Sequence, residues 1–171
     1  MNISFEEAFN GAKKKFSVRV PGKTKAESIS LKIPPTCKEG AKLRLKGQGK
    51  PIPGSGNGDL IVEIHIDSHP YFSFDKEDVI VDVPVSFCEA ALGSKIEIPT
   101  PDGKKLRIKI PAGTQNGSKF TIKGHGAKKS SSLFGNLVAR IEVVIPKELN
   151  SKQKKIINEY AEIENMEVRP W

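Results

Sequence analysis

Apolar and polar residues alternate along most of the chain, with the two-residue period of strands that have one buried and one solvated face. Phe16, Val18 and Val20 fall on one side of such a segment, and Lys15, Ser17 and Arg19 on the other. Ile29, Leu31 and Ile33 repeat the pattern, as do Leu60, Val62, Ile64 and Ile66. Farther on, Leu106, Ile108 and Ile110 alternate with Lys105, Arg107 and Lys109. Leu137, Ala139, Ile141, Val143 and Ile145 make the longest predicted strand. One solvated face per strand predicts antiparallel sheets, not buried parallel ones. Turn residues interrupt the alternation at Pro51 to Gly58, Pro101-Asp102-Gly103, Gln115-Asn116-Gly117 and Ser130-Ser131-Ser132.

The pattern is written twice. Ser4-Phe5-Glu6-Glu7-Ala8-Phe9-Asn10-Gly11 is answered by Ser86-Phe87-Cys88-Glu89-Ala90-Ala91-Leu92-Gly93. Lys32-Ile33-Pro34 returns as Lys109-Ile110-Pro111, and the strand and turn from Lys42 to Gly49 return from Lys119 to Gly126. Gly58-Asp59-Leu60 becomes Gly135-Asn136-Leu137. A repeat of this length marks a repeated supersecondary unit and predicts two tandem modules, joined by a linker strand from Val79 to Val85. Each Phe-x-Glu-Ala element predicts one short helical turn closed by a glycine in a left-handed cap. The expected division is 1–78, 79–146 and a C-terminal helix with its tail over 147–171.

That last helix is the one with helical spacing: Ile156, Ile157, Tyr160 and Ile163 line a narrow apolar stripe after a cap at Asn150 or Ser151. The stripe needs a cover, either its own second module or a copy of itself in a twofold dimer.

Length and charge sharpen the picture. At 171 residues, two modules would each have a small core, so contact between modules or chains should add stability. The net charge of +8 is uneven: residues up to Val85 hold 13 basic and 11 acidic side chains, the rest 15 and 9. Cys37 and Cys88 are isolated, which signals neither a zinc site nor a disulfide framework and suits a reducing, cytosolic setting. No apolar run approaches membrane-spanning length and no signal-peptide pattern opens the chain.

Catalytic motifs are lacking. There is no Gly-x-Ser-x-Gly elbow or His-Glu-x-x-His, and the glycines at Gly47, Gly49, Gly124 and Gly126 follow strands without leading into a helix. His65, His69 and His125 have no partner at catalytic spacing, and Glu6-Glu7 reads as acid favouring a helix start. The residues therefore argue for binding rather than catalysis, and no cofactor is expected.

Several of these motifs together resemble a known family. Val83-Pro84-Val85-Ser86-Phe87-x-Glu89-Ala90-Ala91-Leu92-Gly93, Ile96-x-Ile98-Pro99-Thr100-Pro101-Asp102-Gly103 and Ile110-Pro111-Ala112-Gly113-Thr114 resemble the C-terminal substrate-binding region of DnaJ-type co-chaperones. So do Leu43 to Gly49, Gly58-Asp59-Leu60 and His69-Pro70-x-Phe72. With no cysteine repeat between Val20 and Ser28, the chain is similar to the class without a zinc-binding insertion, and its end, Arg169-Pro170-Trp171, is similar to that of the curved-DNA-binding (CbpA) branch.

The resemblance implies an all-β fold with short helices: two tandem β-sandwich-like modules and a C-terminal dimerisation helix carrying Ile156, Tyr160 and Ile163. It implies a peptide groove formed by Ile3 (with Met1 near the same edge), Phe16, Val18 and Val62, for which ordinary core packing is the competing reading. Lys14 and Lys25 fall close to lysines that face the acidic tail of a DnaK-type ATPase chaperone in relatives. Unfolded polypeptide clients, that ATPase and a second copy of the chain are the implied partners, in the cytoplasm and with no membrane. A J-domain and linker upstream are expected from the same resemblance. Duplex DNA is the alternative partner, held by Lys105, Arg107 and Lys109 in a row with Lys104, Lys119, Lys123, Lys128 and Lys129, whose competing reading is a solvated face.

Overall fold

In the computed structural model, residues 1–19, 26–54, 56–128 and 133–164 are described. The chain runs β1 (Asn2–Ile3), α1 (Phe5–Asn10), β2 (Ala12–Val18), β3 (Glu27–Ile33), β4 (Lys42–Leu45), β5 (Pro51–Ile52), β6 (Gly56–Asn57), β7 (Leu60–Glu63) and β8 (His65–Ile66). It continues with β9 (Phe72–Asp75), β10 (Asp78–Ser86), α2 (Phe87–Leu92), β11 (Ser94–Pro99), β12 (Lys105–Ile110), β13 (Lys119–Ile122), β14 (Leu137–Val144) and α3 (Ser151–Ile163). It is an all-β fold with short helices.

The duplication extends to pairing register. Ala12 lies opposite Ile33 as Ser94 lies opposite Ile110, and Leu45 opposite Leu60 as Ile122 opposite Leu137. Both short helices start with a capping box: Ser4 with Glu7 and Ser86 with Glu89 satisfy one another's backbone N–H groups. The glycines after them differ from the expected left-handed cap. Gly11 (φ 76, ψ 154) and Gly93 (φ 78, ψ 152) have positive φ with an extended ψ, which turns the chain straight into the next strand.

Pairing in the second module corrects the expectation of purely antiparallel sheets. β10 and β14 run parallel over eight Cα pairs, Val79 with Leu137 through Ser86 with Val144, and β1 and β8 form the sixth and seventh pairs of the same ladder in the first copy. The segment read as a linker strand is the centre of a four-stranded sheet ordered β13-β14-β10-β9. Val79, Val81, Val83 and Val85 are all buried, so β10 is core rather than connection. At nine residues it is also longer than β14, from which Ile145 projects beyond the strand and is exposed. The long crossover through β11 to β13 makes the parallel arrangement possible, since a hairpin would force the antiparallel one.

Two apolar clusters result. Ile3, Ala8, Leu31, Ile33, Cys37, Val62 and Ile64 form the first; the second gathers the valines of β10 with Ile98, Ile110, Leu137, Ala139 and Ile141. Phe5 belongs to the second cluster although it stands in the first copy. Its ring lies 5.3 Å from Phe72 and 4.5 Å from Phe74, both on β9, which is hydrogen-bonded to β10. Polar links flank this aromatic seam. Two backbone N–H groups, of Tyr71 (3.3 Å) and Phe72 (3.1 Å), donate to His69 Nδ1, so Nε2–H is left to donate to Glu6 at 3.1 Å. Thr36 Oγ1 donates to the Lys128 carbonyl at 3.0 Å. Thr36 has φ 59 at the position where the second copy has Gly113 (φ 77), so a β-branched residue accepts a disfavoured backbone where its hydroxyl joins the two modules.

Candidate peptide-binding edge of the first module

Among the described residues β2 has one strand neighbour, β3, leaving its other edge without a ladder partner. Alternation on β2 turns Ala12, Lys14, Phe16 and Val18 to the half-buried side and Lys13, Lys15 and Ser17 outward. Phe16 packs against the rim of the first core while retaining exposed surface. Val62 on β7 is 9% exposed and Ile3 is fully buried, so these two residues lie within the core beneath the edge. An unpaired strand edge offers backbone groups to any extended chain, and half-exposed apolar side chains beside it add affinity with little sequence demand.

Lys14 stands at the start of this edge. Its ammonium lies 2.7 Å from Glu7 Oε2, the oxygen that also accepts the Ser4 N–H at 2.9 Å, and 3.4 Å from the Asn2 carbonyl. The hydrogen bond from Lys14, followed by that from Ser4, holds the Glu7 carboxyl below the usual glutamate range. Lys25 lies outside the described residues.

The basic row of the second module is divided. Lys105, Arg107 and Lys109 project from the exposed face of β12, but Lys119 and Lys123 belong to the β13 hairpin of the other sheet. Arg107 is held by Glu97 at 2.8 Å and Lys104 by Asp102 at 2.8 Å. Lys95 and Lys109 are directly opposed across β11 and β12, and the first copy repeats this with Lys13 and Lys32. Lys128 contributes its carbonyl to the contact with Thr36, and Lys129 lies outside the described residues.

On α3 the stripe is largely uncovered: Ile156, Ile157, Tyr160 and Ile163 are all exposed, and the Tyr160 ring meets Phe87 edge-on at 6.2 Å. Asn150 is the cap, in a box with Gln153. The tail Arg169-Pro170-Trp171 lies outside the described residues.

Three features escaped the sequence reading. The Ser-x-x-Glu spacing at Ser4 and Glu7 was a legible capping-box signal, but nothing local showed that Lys14 would share its carboxylate. The Glu6–His69 contact and the burial of Phe5 in the neighbouring module join residues more than sixty positions apart. No group of His, Cys, Asp and Glu suited to a metal occurs among the described residues. No helix among them is long and apolar enough to cross a membrane.

The DnaJ C terminal domain profile matches residues 1–146. The chain is 40% identical over 141 residues to the chaperone protein DnaJ of Geobacillus sp. (strain WCH70), covering 81% of this chain and 37% of that protein. It is 39% identical over 150 residues to the chaperone protein DnaJ of Pelagibacter ubique (strain HTCC1062), covering 86% and 40%. With that of Leptospira biflexa (strain Patoc 1 / Ames) it shares 41% over 139 residues, covering 80% and 37%. The chain thus spans well under half the length of the curated relatives it matches, and nearly all of its own length up to α3 is accounted for: it belongs to the DnaJ C-terminal domain family.

Proposed function

We propose that this chain is the peptide-binding and dimerising part of a cytoplasmic DnaJ-type co-chaperone that receives unfolded polypeptides and passes them to a DnaK-type ATPase. The observation that carries this reading is the edge of β2 that has no ladder partner among the described residues, with Phe16 and Val18 half-exposed along it. An extended client adds there as a strand; Val62 and Ile3 act from beneath as the floor that sets the position of Phe16. Lys14 receives a carboxylate of the ATPase's acidic tail, and Lys25 is assigned the same role by resemblance. The exposed stripe of Ile156, Tyr160 and Ile163, continuous with Phe87, supports a homodimer through a second copy of α3. The class without a zinc insertion and the CbpA branch remain the placement we favour within the family, on the residues given above.

Replacing Phe16 by Ser tests the groove. The variant should stay folded and lose most protection of a thermally aggregating client, because a half-exposed ring contributes more to client burial than to the core. Unfolding of the variant at room temperature would instead make Phe16 a core residue and remove the groove reading.

One observation favours duplex DNA as a second ligand. Lys105 shares the Glu97 carboxylate's field with Arg107, and the opposed lysines Lys95 and Lys109 repel one another unless an anion lies across them. No aromatic residue lies between them for base stacking, so the contact would be with phosphates. Replacing Lys105, Arg107 and Lys109 together by Gln should flatten the salt dependence of DNA binding by about two to three units of slope, with client protection unchanged. Lack of duplex binding by the unmodified chain at low salt would refute this ligand, and loss of client protection in the triple variant would move the client site onto the second module.

A further inference from the structure

The two copies share a capping box but differ in what surrounds it. In the second copy Glu89 Oε2 accepts from the Ser86 N–H and hydroxyl, each at 2.8 Å, and has no cation partner among the described residues. The residue that corresponds to Lys14 there is Ile96. A lysine is therefore not needed to complete the cap or to hold the short helix. In the first copy the equivalent oxygen of Glu7 serves two donors, the Ser4 N–H and the Lys14 ammonium. Lys14 and Glu7 are each about one-third exposed (32% for both side chains), so the pair lies within reach of a ligand at the β2 edge.

We propose that Glu7 is a specificity-determining residue: a tethered internal carboxylate that already engages Lys14, so that any acidic peptide end docking there must share the ammonium with it. This rests on the reading of Lys14 as the receiver of an acidic tail. The cap fixes Glu7 in place whether or not a ligand is present, so an arriving carboxylate does not expel it but shares Lys14 with it. A ligand with one carboxylate exchanges one anion for another and meets the repulsion of Glu7. A ligand that brings two carboxylates close together regains that loss when the second meets Lys13 or Lys15, which stand exposed on the same strand. A neutral apolar strand, docking through the edge and Phe16, is unaffected. Glu7 thereby sets apart acidic chain ends from the scattered single acids of ordinary clients.

Glu7→Gln tests this without breaking the helix, because Gln satisfies a capping box, as Gln153 does for Asn150 in this same chain. Two short synthetic peptides serve as probes: one ends in two glutamates and a free carboxylate, the other has glutamines and an amide. Binding is measured by fluorescence anisotropy at low and high salt, with a thermal melt of each variant. The acidic peptide should bind Glu7→Gln about two- to fivefold tighter than the unmodified chain at low salt, a gain that fades in concentrated salt. The neutral peptide should bind both equally, and Glu89→Gln should change neither affinity. If Lys14→Gln abolishes the acidic preference but Glu7→Gln leaves affinity unchanged or weakens it, Glu7 orients Lys14 instead of competing for it, and the inference is overturned with the Lys14 reading intact. If the acidic peptide binds no better than the neutral one to the unmodified chain and to both variants, the Lys14 reading falls and takes the inference with it.

Discussion

Phe5 and Phe87 occupy the same place in the two copies, directly after the capping serine, and their fates predict a large difference in cost on truncation. Phe5 is 3% exposed and stacks in the second module's core, 4.5 Å from Phe74, 5.3 Å from Phe72 and 6.3 Å from Phe9. Phe87 is 45% exposed and has one ring neighbour among the described residues, Tyr160 at 6.2 Å. Phe5→Ala should cost about 3–5 kcal/mol, the usual range for emptying a buried aromatic site. Phe87→Ala removes roughly half as much buried surface and leaves no closed cavity, so about 1 kcal/mol is expected. A loss of that size at Phe5 is a large share of the roughly 5–15 kcal/mol that separates a folded domain from its unfolded chain.

The same substitution should also uncouple the modules. Without Phe5, what ties the first copy to β9 and the second sheet is the partly buried rings of Phe9 and Phe74 together with Glu6–His69, Thr36–Lys128 and Lys38–Glu77, and polar links of this kind contribute little cooperativity. Urea unfolding followed by far-ultraviolet circular dichroism, with hydrogen exchange resolved by residue, reads both effects. The amides of β2 and β3 should then exchange through openings that leave β10 and β14 protected. Equal costs for the two substitutions would refute the assignment of Phe5 to the second core. So would a single sharp transition with uniform exchange in Phe5→Ala.

Two further outcomes are expected. Ile156→Asp with Tyr160→Asp should convert a dimer to a monomer in sedimentation, since charges buried in an apolar contact cost several kcal/mol; an unmodified chain that already sediments as a monomer removes the premise. Acid should destabilise the fold from the carboxylate side. The carboxyls of Glu6 and Glu7 are held below their ordinary value, Glu6 by backbone and Ser4 hydrogen bonds and Glu7 by Lys14 and Ser4. Their contribution is therefore present above the unfolded glutamate pKa of about 4.3 and lost as pH falls through the depressed folded values. Urea midpoints should be flat from neutral pH to about 5 and fall below about 4, less steeply in Glu7→Gln; a midpoint that rises on acidification would contradict the sign.

The sequence by itself determined what depends on near neighbours. Strand faces follow from the alternation of residues such as Ile29, Leu31 and Ile33, because successive side chains must point to opposite sides of a strand. The caps at Ser4, Ser86 and Asn150 are four-residue patterns, and the duplication is a comparison of the chain with itself. Tertiary structure decided whatever required distant segments to meet. Val79 to Val85 has the same apolar alternation as a half-solvated strand, and only its parallel neighbour β14 and antiparallel neighbour β9 make it the centre of a sheet. Phe5 and Phe87 have nearly identical local sequences, yet one packs under β9 and the other against α3. Glu7 and Lys14 sit on different elements, and the sharp exit at Gly11 is what folds the strand back beside the helix. Local sterics act over a few bonds and can be read along the chain, but burial and ion pairing depend on which surfaces come together, and that is a property of the whole fold.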